Sequence, residues 1–470
     1  MSKIPIVLAC LTCTVNGRRV QTSSERLQST DLLEDSHSIR QQEDEDAWRP
    51  VHSLVTFLLG FSPTAAFKAG GPGASCYTDP RPMIRGQRVP DLCMQTATMA
   101  IPGVAEPLAS IGKSVAKWCM SSDRAEATIA VSSGTTTAHV LRDFYKMARR
   151  FAEEDVPRGS VRIMAFPRWD EAMKDHRLFD RTVEHITQCS DICEYLGESM
   201  LLAGRHPLMK ASASEPTKPP CPILILRSFT QKGTTDWSEE NPDEDDPFGN
   251  LPDEPMFQQE ETTESDEEIL AQTKKWVEAV IVKMKVCPFS NTADKAGIPI
   301  GGVSYPITRA FTAEEIYENF WTQVLELRAT NEVSMATVLL LTPNFMYHAP
   351  GGYDALADTL NSGLSLLGFE KEVQLVFFHP EYTFRDGTDR VGDGAAANYA
   401  RRSPFPMINL LRTPQVREAQ KGIPTGSVYI TNEKNMKLVG QEALDKMLKT
   451  RDWTDLFGQK FIPHKDNLWG

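Results

Sequence analysis

Hydrophobic positions in the second half of the chain switch between helical and strand-like spacing. Residues 268–286, 313–327 and 353–367 carry apolar side chains at helical spacing. The continuous apolar runs at 336–342 and 373–378 predict strands that are buried on both faces. Because helices and strands alternate, we expect βαβ connections and an α/β domain whose mostly parallel sheet is covered by helices.

The first half of the chain repeats this frame. The interval from phenylalanine to proline is 23 residues in both copies, from Phe144 to Pro167 and from Phe320 to Pro343. The next histidine follows after 39 residues in the first copy and after 36 in the second. Shared element lengths are typical of internal repeats, so we predict two tandem, similar α/β domains.

The last interval of the repeat differs between the copies. Arg227 lies 21 residues after His206, whereas Arg412 lies 33 residues after His379. The first copy therefore lacks the stretch that holds Asn398. Residues with a purely structural role should be present in both copies. We therefore interpret the first copy as degenerate and expect the second to carry the functional site.

Charge is concentrated in one segment of the 470-residue chain. Residues 236–268 contain fifteen acidic residues and no lysine or arginine, whereas the whole chain has a net charge of −13. Such a segment is too poor in apolar residues to fold alone, and it could dock a basic protein. The remainder is nearly neutral, so we expect no nucleic-acid partner. We predict a targeting or disordered region (1–75), a degenerate α/β repeat (76–232), a disordered acidic linker (233–266) and an intact α/β domain (267–470).

The N-terminal region has the layout of a targeting segment. Apolar stretches at 4–13 and 54–61 are too short to span a bilayer, and small residues precede Phe67 as at a cleavage site. This bipartite arrangement resembles preproteins bound for secondary plastids, although acidic residues between positions 25 and 46 are unusual for them. We predict a plastid protein with no membrane segment in its mature form, and a cytoplasmic protein with a disordered tail is the alternative.

The nine cysteines show no disulfide framework, and we expect reduced thiols. His185, Cys189 and Cys193 are four residues apart and would share one helix face, where they could pack or hold a metal. The sequence contains no dinucleotide fingerprint, P-loop or zinc-ligand quartet. It therefore supports no particular cofactor or metal.

Two predicted strands end in polar residues. Asn344 follows one strand and His379 follows the next. Ligands of open α/β sheets bind beyond the carboxyl ends of the strands, so His379 is a candidate general acid and base. A capping or core histidine is the alternative interpretation.

A candidate anion site follows His379 in the sequence. Ser403 and Pro404 have the residue types of an N-cap and a first helical residue. A helix starting there would place Arg402 at its N-terminus, where an anion is favoured. The alternative is that Arg402 and Arg412 pair with local acids and fix a loop. These acids are Asp386, Asp389 and Asp393.

Cys287 is a candidate nucleophile with His379 as its base. It lies at the C-terminal end of a predicted helix, where the helix dipole disfavours a thiolate, although Lys283 and Lys285 could offset this effect. A thiol that contacts substrate and a thiol that is simply buried are the alternatives.

These motifs resemble those of the bacterial and plant family called domain of unknown function 1415. The resemblance runs from about residue 269 to 453, and the family name implies no activity. Glu381 stands where aspartate is expected, and Asn409 stands where histidine is usual. The matching positions are Cys287, Pro288, Phe289, Phe378, His379, Pro380, Asn398, Tyr399, Arg402, Ser403, Pro404, Phe405, Pro406, Leu410, Leu411 and Arg412.

The leading hypothesis is an enzyme that acts on a small anionic metabolite by hydrolysis or group transfer. His379 and Cys287 would be its catalytic residues. A non-catalytic module that binds an anion or a partner is the alternative, and so is a scaffold. Catalysis requires His379 at a pocket that Arg402 also lines, whereas a scaffold would bury His379 against its own backbone. The candidate ligand-binding residues are Asn398, Arg402, Arg412 and Tyr382.

Overall fold

The computed structural model describes two four-stranded sheets with their surrounding helices. The region 1–75 and most of the acidic linker lie outside the described residues, so the targeting and linker predictions are not addressed by the fold. The described residues are 106–120, 127–154, 157, 159–198, 200–210, 217–228, 261–297, 300–384, 392–423 and 425–464.

The first half builds one sheet and its helices. In chain order the elements are α1 (Glu106–Met120), β1 (Thr128–Val131), α2 (Thr137–Glu153), β2 (Val161–Ala165), α3 (Asp170–Lys174), α4 (His176–Ser190), α5 (Glu194–Glu198), β3 (Met200–Arg205) and β4 (Ile223–Ser228).

The second half builds the other sheet and adds helices after its last strand. The elements are α6 (Asp266–Trp276), the π-helix π1 (Val277–Lys283), β5 (Val303–Ser304), α7 (Ala313–Ala329), β6 (Thr337–Leu341), α8 (Pro350–Leu366), a 3-10 turn (Phe369–Lys371), β7 (Val373–Phe378), a 3-10 segment (Gly392–Ala400), β8 (Met407–Arg412), α9 (Thr413–Gly422), α10 (Thr425–Val439), α11 (Gln441–Thr450) and α12 (Thr454–Phe457).

Both sheets are mixed, with the strand orders β1-β2-β4-β3 and β5-β6-β8-β7. In each sheet the first pair is parallel and the other two pairs are antiparallel. The predicted α/β class is therefore confirmed in its coarse form, as helices combined with two small mixed sheets. The prediction of mostly parallel sheets is wrong, because the last strand of each half inserts between two strands that run the opposite way.

The error originates in the segment Met407–Arg412, which we predicted as a helix and which forms the strand β8. β8 lies between β6 and β7, and both neighbours pair with its backbone. Pairing on both edges satisfies the backbone N–H and C=O groups in the interior. The hydroxyl of Ser403 donates to the carbonyl of Phe405 at 2.5 Å rather than capping a helix.

A single apolar core joins the inner faces of the two sheets. It contains residues of both halves, including the stacked rings of Tyr145 on α2 and Tyr317 on α7, whose centroids are 4.8 Å apart. Separate clusters cover the outer faces of the two sheets. The buried carboxylate of Glu314 accepts backbone N–H groups of Tyr195 and Leu196 at 2.8 and 3.1 Å. The halves are thus joined by apolar packing and by buried hydrogen bonds.

The expected helix face is only partly formed, because α4 ends at Ser190 and Cys193 lies in the turn after it, but His185, Cys189 and Cys193 are all buried in this shared core. The ring of His185 packs where Gly363 leaves room, since a Cβ atom at Gly363 would stand 2.2 Å from it. It also meets the ring of Trp321 edge-on. Among the described residues no group of His, Cys, Asp or Glu is arranged to hold a metal ion. Their burial and the contacts of the His185 ring make these side chains part of the core packing.

Helix α6 starts with a capping box in which Ser265 and Glu268 exchange hydrogen bonds. The last acidic residues of the charged segment therefore occupy the first turn of a helix, where negative charge is favourable. The helix predicted over 268–286 is present as α6 followed by π1. No helix in the described part of the chain is both long and apolar enough to cross a membrane.

Candidate functional site

His379 follows β7 and is held by backbone groups on both ring nitrogens. Its Nδ1 accepts the N–H of Glu381 at 3.1 Å, so the ring proton is on Nε2, which donates to the carbonyl of Met346 at 3.0 Å. The side chain is 2% exposed, and burial lowers its pKa. In this conformation neither nitrogen is available to a substrate.

His206 makes the same pair of bonds in the first half. Its Nδ1 accepts the N–H of Leu208 at 3.1 Å and its Nε2 donates to the carbonyl of Ala172 at 2.9 Å. Burial lowers the pKa of His206 as well. The shared geometry indicates that each histidine closes the turn after its strand.

Cys287 and His379 lie on opposite sides of the second sheet. The ring of His379 packs against Tyr353 of α8, with ring centroids 5.2 Å apart, on the side of the shared core. Cys287 belongs to the cluster on the outer face together with Phe378. The predicted pairing of Cys287 with His379 as its base is therefore wrong, because alternate residues of a strand point to opposite faces and the sheet stands between the two side chains.

Arg402 helps to fix the loop that returns to β8. Its Nε donates to the carbonyl of Tyr382 at 3.0 Å, and its guanidinium lies 4.7 Å from the ring centroid of Tyr399. The hydroxyl of Tyr399 donates to Asp445 at 3.1 Å. With β8 a strand, the helix N-terminus predicted beside Arg402 does not exist. A helix N-terminus therefore cannot support the predicted anion site at Arg402.

Asn398 and Tyr382 serve the same loop. The side-chain oxygen of Asn398 accepts the N–H of Phe384 at 3.1 Å, and its carbonyl accepts the N–H of Arg402 at 3.0 Å. The hydroxyl of Tyr382 accepts from Arg401 at 3.0 Å. These contacts join the two sides of the gap at 385–391. Two of the predicted acidic partners, Asp386 and Asp389, lie outside the described residues, as does the side chain of Asp393.

Arg412 lies at the opposite end of β8 from Arg402. Its Nη2 donates to the carbonyls of Leu327 and Thr330 at 2.8 Å each, at the C-terminal end of α7. A strand of six residues spans roughly 20 Å. The prediction that Arg412 and Arg402 bind one ligand is therefore wrong, because Arg412 caps the C-terminal end of a helix at the far edge of the sheet.

The strand register also changes which residue of the second half corresponds to Arg227. Arg227 pairs with Val161 in the first sheet, and Leu411 pairs with Thr337 in the second. Arg227 therefore corresponds to Leu411 rather than to Arg412. The arginine match was a one-residue coincidence of spacing.

A cavity lies between π1 and the outer face of the second sheet, with a volume of about 40 Å³. This is room for about three water molecules. No charged side chain lines it among the residues that the structure describes. Apolar groups form most of its wall. The lining residues are Trp276, Val277, Ile281, Cys287, Ser290, Thr292, Ala296, Val303, Tyr305, Thr337, Leu339, Phe378, Asn409 and Leu411.

Asn409 supplies a buried polar group to the cavity wall. It stands in the middle of β8 and is 4% exposed. The hydroxyl of Thr337 has one proton, and its shorter contact, 2.6 Å, is to the side-chain oxygen of Asn409. No described residue accepts a hydrogen bond from the Nδ2 amide of Asn409. Since Asn409 lines the cavity, this amide is available to a bound molecule.

The helix above the cavity is π-helical rather than α-helical. π1 brings Val277 and Ile281 to the wall, and the backbone N–H of Cys287 returns to the carbonyl of Ile281 at 3.1 Å. Lys285, between them, has a left-handed φ of 62°. π-helical turns occur frequently at functional sites. Here the wide turn and the left-handed residue bring the 2% exposed Cys287 to the cavity.

A short loop closes the outer side of the cavity. The N–H of Ala293 donates to Glu278 of π1 at 2.7 Å, and its carbonyl accepts from the hydroxyl of Tyr305. Lys274 pairs with Asp294 at 2.7 Å. Thr292 on this loop is exposed, so the cavity meets solvent at the loop.

The sequence indicates Cys287 as a candidate site residue but gives no indication of the cavity around it. Asn409 stands out in the sequence only as a departure from the family pattern. The available signal was a single amide inside the apolar run of β8, which would have stood out had that run been interpreted as a buried central strand. Most of the remaining wall residues are ordinary apolar side chains and carry no such signal.

Residues 268–446 match the model of the family described as "Protein of unknown function (DUF1415)". No curated protein and no solved structure matches the chain. The match confirms the resemblance inferred from the motifs of the second half, and it covers both the His379 turn and the cavity of Cys287 and Asn409. The α/β domain of the second half is thus the part of the chain that matches this family.

Proposed function

We propose that the second α/β domain binds a small organic molecule in the cavity between π1 and the outer face of its sheet. The observation that carries the proposal is the Asn409 amide, which is buried, oriented by Thr337 and directed to the cavity. A hydrogen bond from this amide to a ligand would contribute about 0.5–1.5 kcal/mol to binding.

The surroundings of the amide support the same function. Ligand sites are concave, mostly apolar and fitted with few polar groups. Here the walls are mostly apolar. The buried polar groups of the wall are the side-chain amide of Asn409, the thiol of Cys287 and the hydroxyl of Thr337. The π-helix π1 forms one side of the cavity.

A catalytic role for Cys287 or His379 stays a prediction. Cys287 lies at the cavity, where it could contact a ligand, but His379 is on the other face of the sheet. Hydrolysis or group transfer would need another acid or base. An anion site around Arg402 also stays a prediction, with less support, because that side chain already bonds the loop and stacks on Tyr399. Binding of a small molecule is the function with the broader support.

We also propose that the two halves arose by duplication. The halves share strand order, and α2 and α7 are both 17 residues long and are capped at their first turns by Thr136 and Thr312. The His206 and His379 turns use the same two bonds. In this account the first half stabilises the second through the shared core, and the cavity belongs to the second half.

Localisation and macromolecular partners remain proposals from the sequence. The plastid-like N-terminus and most of the acidic linker lie outside the described residues. A fluorescent fusion of the full chain tests the first. Pull-down of a basic partner that is lost on neutralising the linker acids tests the second.

A thermal-shift screen of the full-length chain tests the proposed function. Molecules that bind the native state raise the melting temperature. We expect neutral fragments that stabilise the wild type more than Asn409→Leu. Gln374→Leu is the matched control, because it removes the side-chain amide of a half-buried residue on a neighbouring strand that lies outside the cavity wall. Equal shifts in wild type and Asn409→Leu for every hit would contradict the proposal.

A further inference from the structure

We propose that the ligand of this cavity is a neutral carbonyl compound with a short apolar body, and that its oxygen accepts a hydrogen bond from Asn409. The inference rests on the proposed function and names the class of molecule that the same cavity takes. Three properties of the cavity lead to it: its lack of charge, its single oriented amide donor and its apolar walls.

The charge pattern selects a neutral molecule. No lining side chain is charged in the described part of the chain. Two charged groups beside the cavity have partners outside it, since Glu278 accepts from the N–H of Ala293 and Lys274 pairs with Asp294. An ionised ligand would lose its hydration without gaining a counter-charge, which costs several kcal/mol. Carboxylates and amines are therefore disfavoured inside the cavity.

The hydrogen-bond pattern selects an acceptor. Asn409 and Thr337 form the deep end of the cavity, where they are 4% and 1% exposed. Thr337 holds the side-chain oxygen of Asn409, so the Nδ2 amide is the group offered to the ligand. A carbonyl oxygen accepts from it without bringing a proton that needs its own acceptor.

The walls select a short apolar body. Trp276 and Phe378 meet edge-to-face with centroids 5.2 Å apart, and Leu339 and Leu411 complete the sheet side. Burial of apolar surface against these groups contributes about 25 cal/mol per Å². The thiol of Cys287 is a soft, weakly polar neighbour that is compatible with such a body. The small volume excludes long chains and fused rings.

Three probes of matched shape test the class on the full-length protein. Butan-2-one, 2-methylbut-1-ene and propanoate share one branched skeleton, and they differ in having a neutral acceptor, no acceptor or a negative charge. The readout is the side-chain amide resonance of Asn409 in protein labelled with ¹⁵N-asparagine, assigned by its loss in Asn409→Leu. Butan-2-one is expected to shift this resonance saturably, with a Kd about tenfold lower than that of the alkene.

Variants separate the contribution of the amide from that of the cavity. Asn409→Leu should lose the preference for the ketone over the alkene, as followed by saturation transfer to the ligand. Gln374→Leu should keep the wild-type preference.

The outcomes distinguish the inference from the function on which it rests. Binding of the alkene as tightly as the ketone, or tighter binding of propanoate, overturns the carbonyl class and leaves small-molecule binding standing. If none of the probes changes the Asn409 resonance or saturates in the wild type, both proposals fail.

Discussion

Thr337 and Asn409 meet diagonally across β6 and β8, with the threonine hydroxyl 2.6 Å from the side-chain oxygen of the asparagine. The strand register places Asn409 opposite Leu339, two residues from Thr337, which is within reach of a cross-strand diagonal pair. The hydroxyl also lies 2.9 Å from the carbonyl of Leu410. Through this pair the central strands of the sheet fix the polar end of the cavity.

Thr337→Val tests this arrangement. The substitution keeps the shape of the side chain and removes the hydroxyl, so the side-chain oxygen of Asn409 loses its partner. We expect the free energy of unfolding to fall by about 1–3 kcal/mol, and cavity ligands to bind more weakly because the amide can rotate. Urea unfolding and the thermal shift with a hit compound measure the two effects. In Thr342→Val, which removes a hydroxyl bonded to the carbonyl of Pro406 away from the cavity, stability should fall while binding persists.

The two strand-end histidines should behave as structural residues. His379→Ala and His206→Ala each remove two backbone hydrogen bonds and leave space in a buried site. We expect each to lower the free energy of unfolding by about 2–4 kcal/mol. His348→Ala is the control, because that side chain is exposed. A His379→Ala variant as stable as the wild type would instead return His379 to the list of catalytic candidates.

Acid sensitivity should depend on His185. Burial lowers its pKa to about 4, whereas an unfolded histidine titrates near about 6.5. The unfolded state therefore binds more protons between these values, so the stability contribution of the neutral ring is complete above pH ~6.5 and is lost as pH falls toward ~4. The expected loss is about 3 kcal/mol. Urea unfolding at a series of pH values measures this loss. The free energy of unfolding should fall less between pH ~6.5 and ~4 in His185→Gln than in the wild type. An equal fall in the two proteins would contradict the role of His185.

Gly363 should be required by the same histidine across the shared core. A Cβ atom in Gly363→Ala would stand 2.2 Å from the His185 ring, so the ring or the helix must move. Overpacking of this kind costs about 1–3 kcal/mol. The double variant with His185→Ala should recover part of the loss, as a coupled pair does. Gly351→Ala on the same helix meets nothing within 4 Å and should be neutral or stabilising. Additive losses in the double variant would mean that the two residues do not touch.

The sequence predicted the regular elements of the second half well, because their hydrophobic spacing is strong. The helices near 313–327 and 353–367 and the strands near 336–342 and 373–378 are all present. The segment Met407–Arg412 failed because a serine followed by proline is a common helix start, and its local sequence is compatible with a helix. Its position between two strands decided the outcome, and tertiary context of this kind overrides local preference.

The candidate site was less accessible to sequence reasoning for a geometric reason. Cys287 and His379 were joined because both are reactive residue types near predicted element ends. The face of the sheet that each side chain occupies depends on the strand order and on the alternation of side chains along β7. A sequence motif specifies neither of these. Asn409 and Thr337 are far apart in sequence, and only the pairing of β6 with β8 brings them together.

The most direct test of the cavity is a titration of butan-2-one into the full-length protein while the Asn409 side-chain amide is observed by ¹⁵N-edited NMR. The account predicts a saturable shift of that resonance, retained in Gln374→Leu and weakened in Thr337→Val. A resonance that does not move at any ligand concentration, in a protein that remains folded, would show that the amide does not receive this class of molecule and would contradict the account.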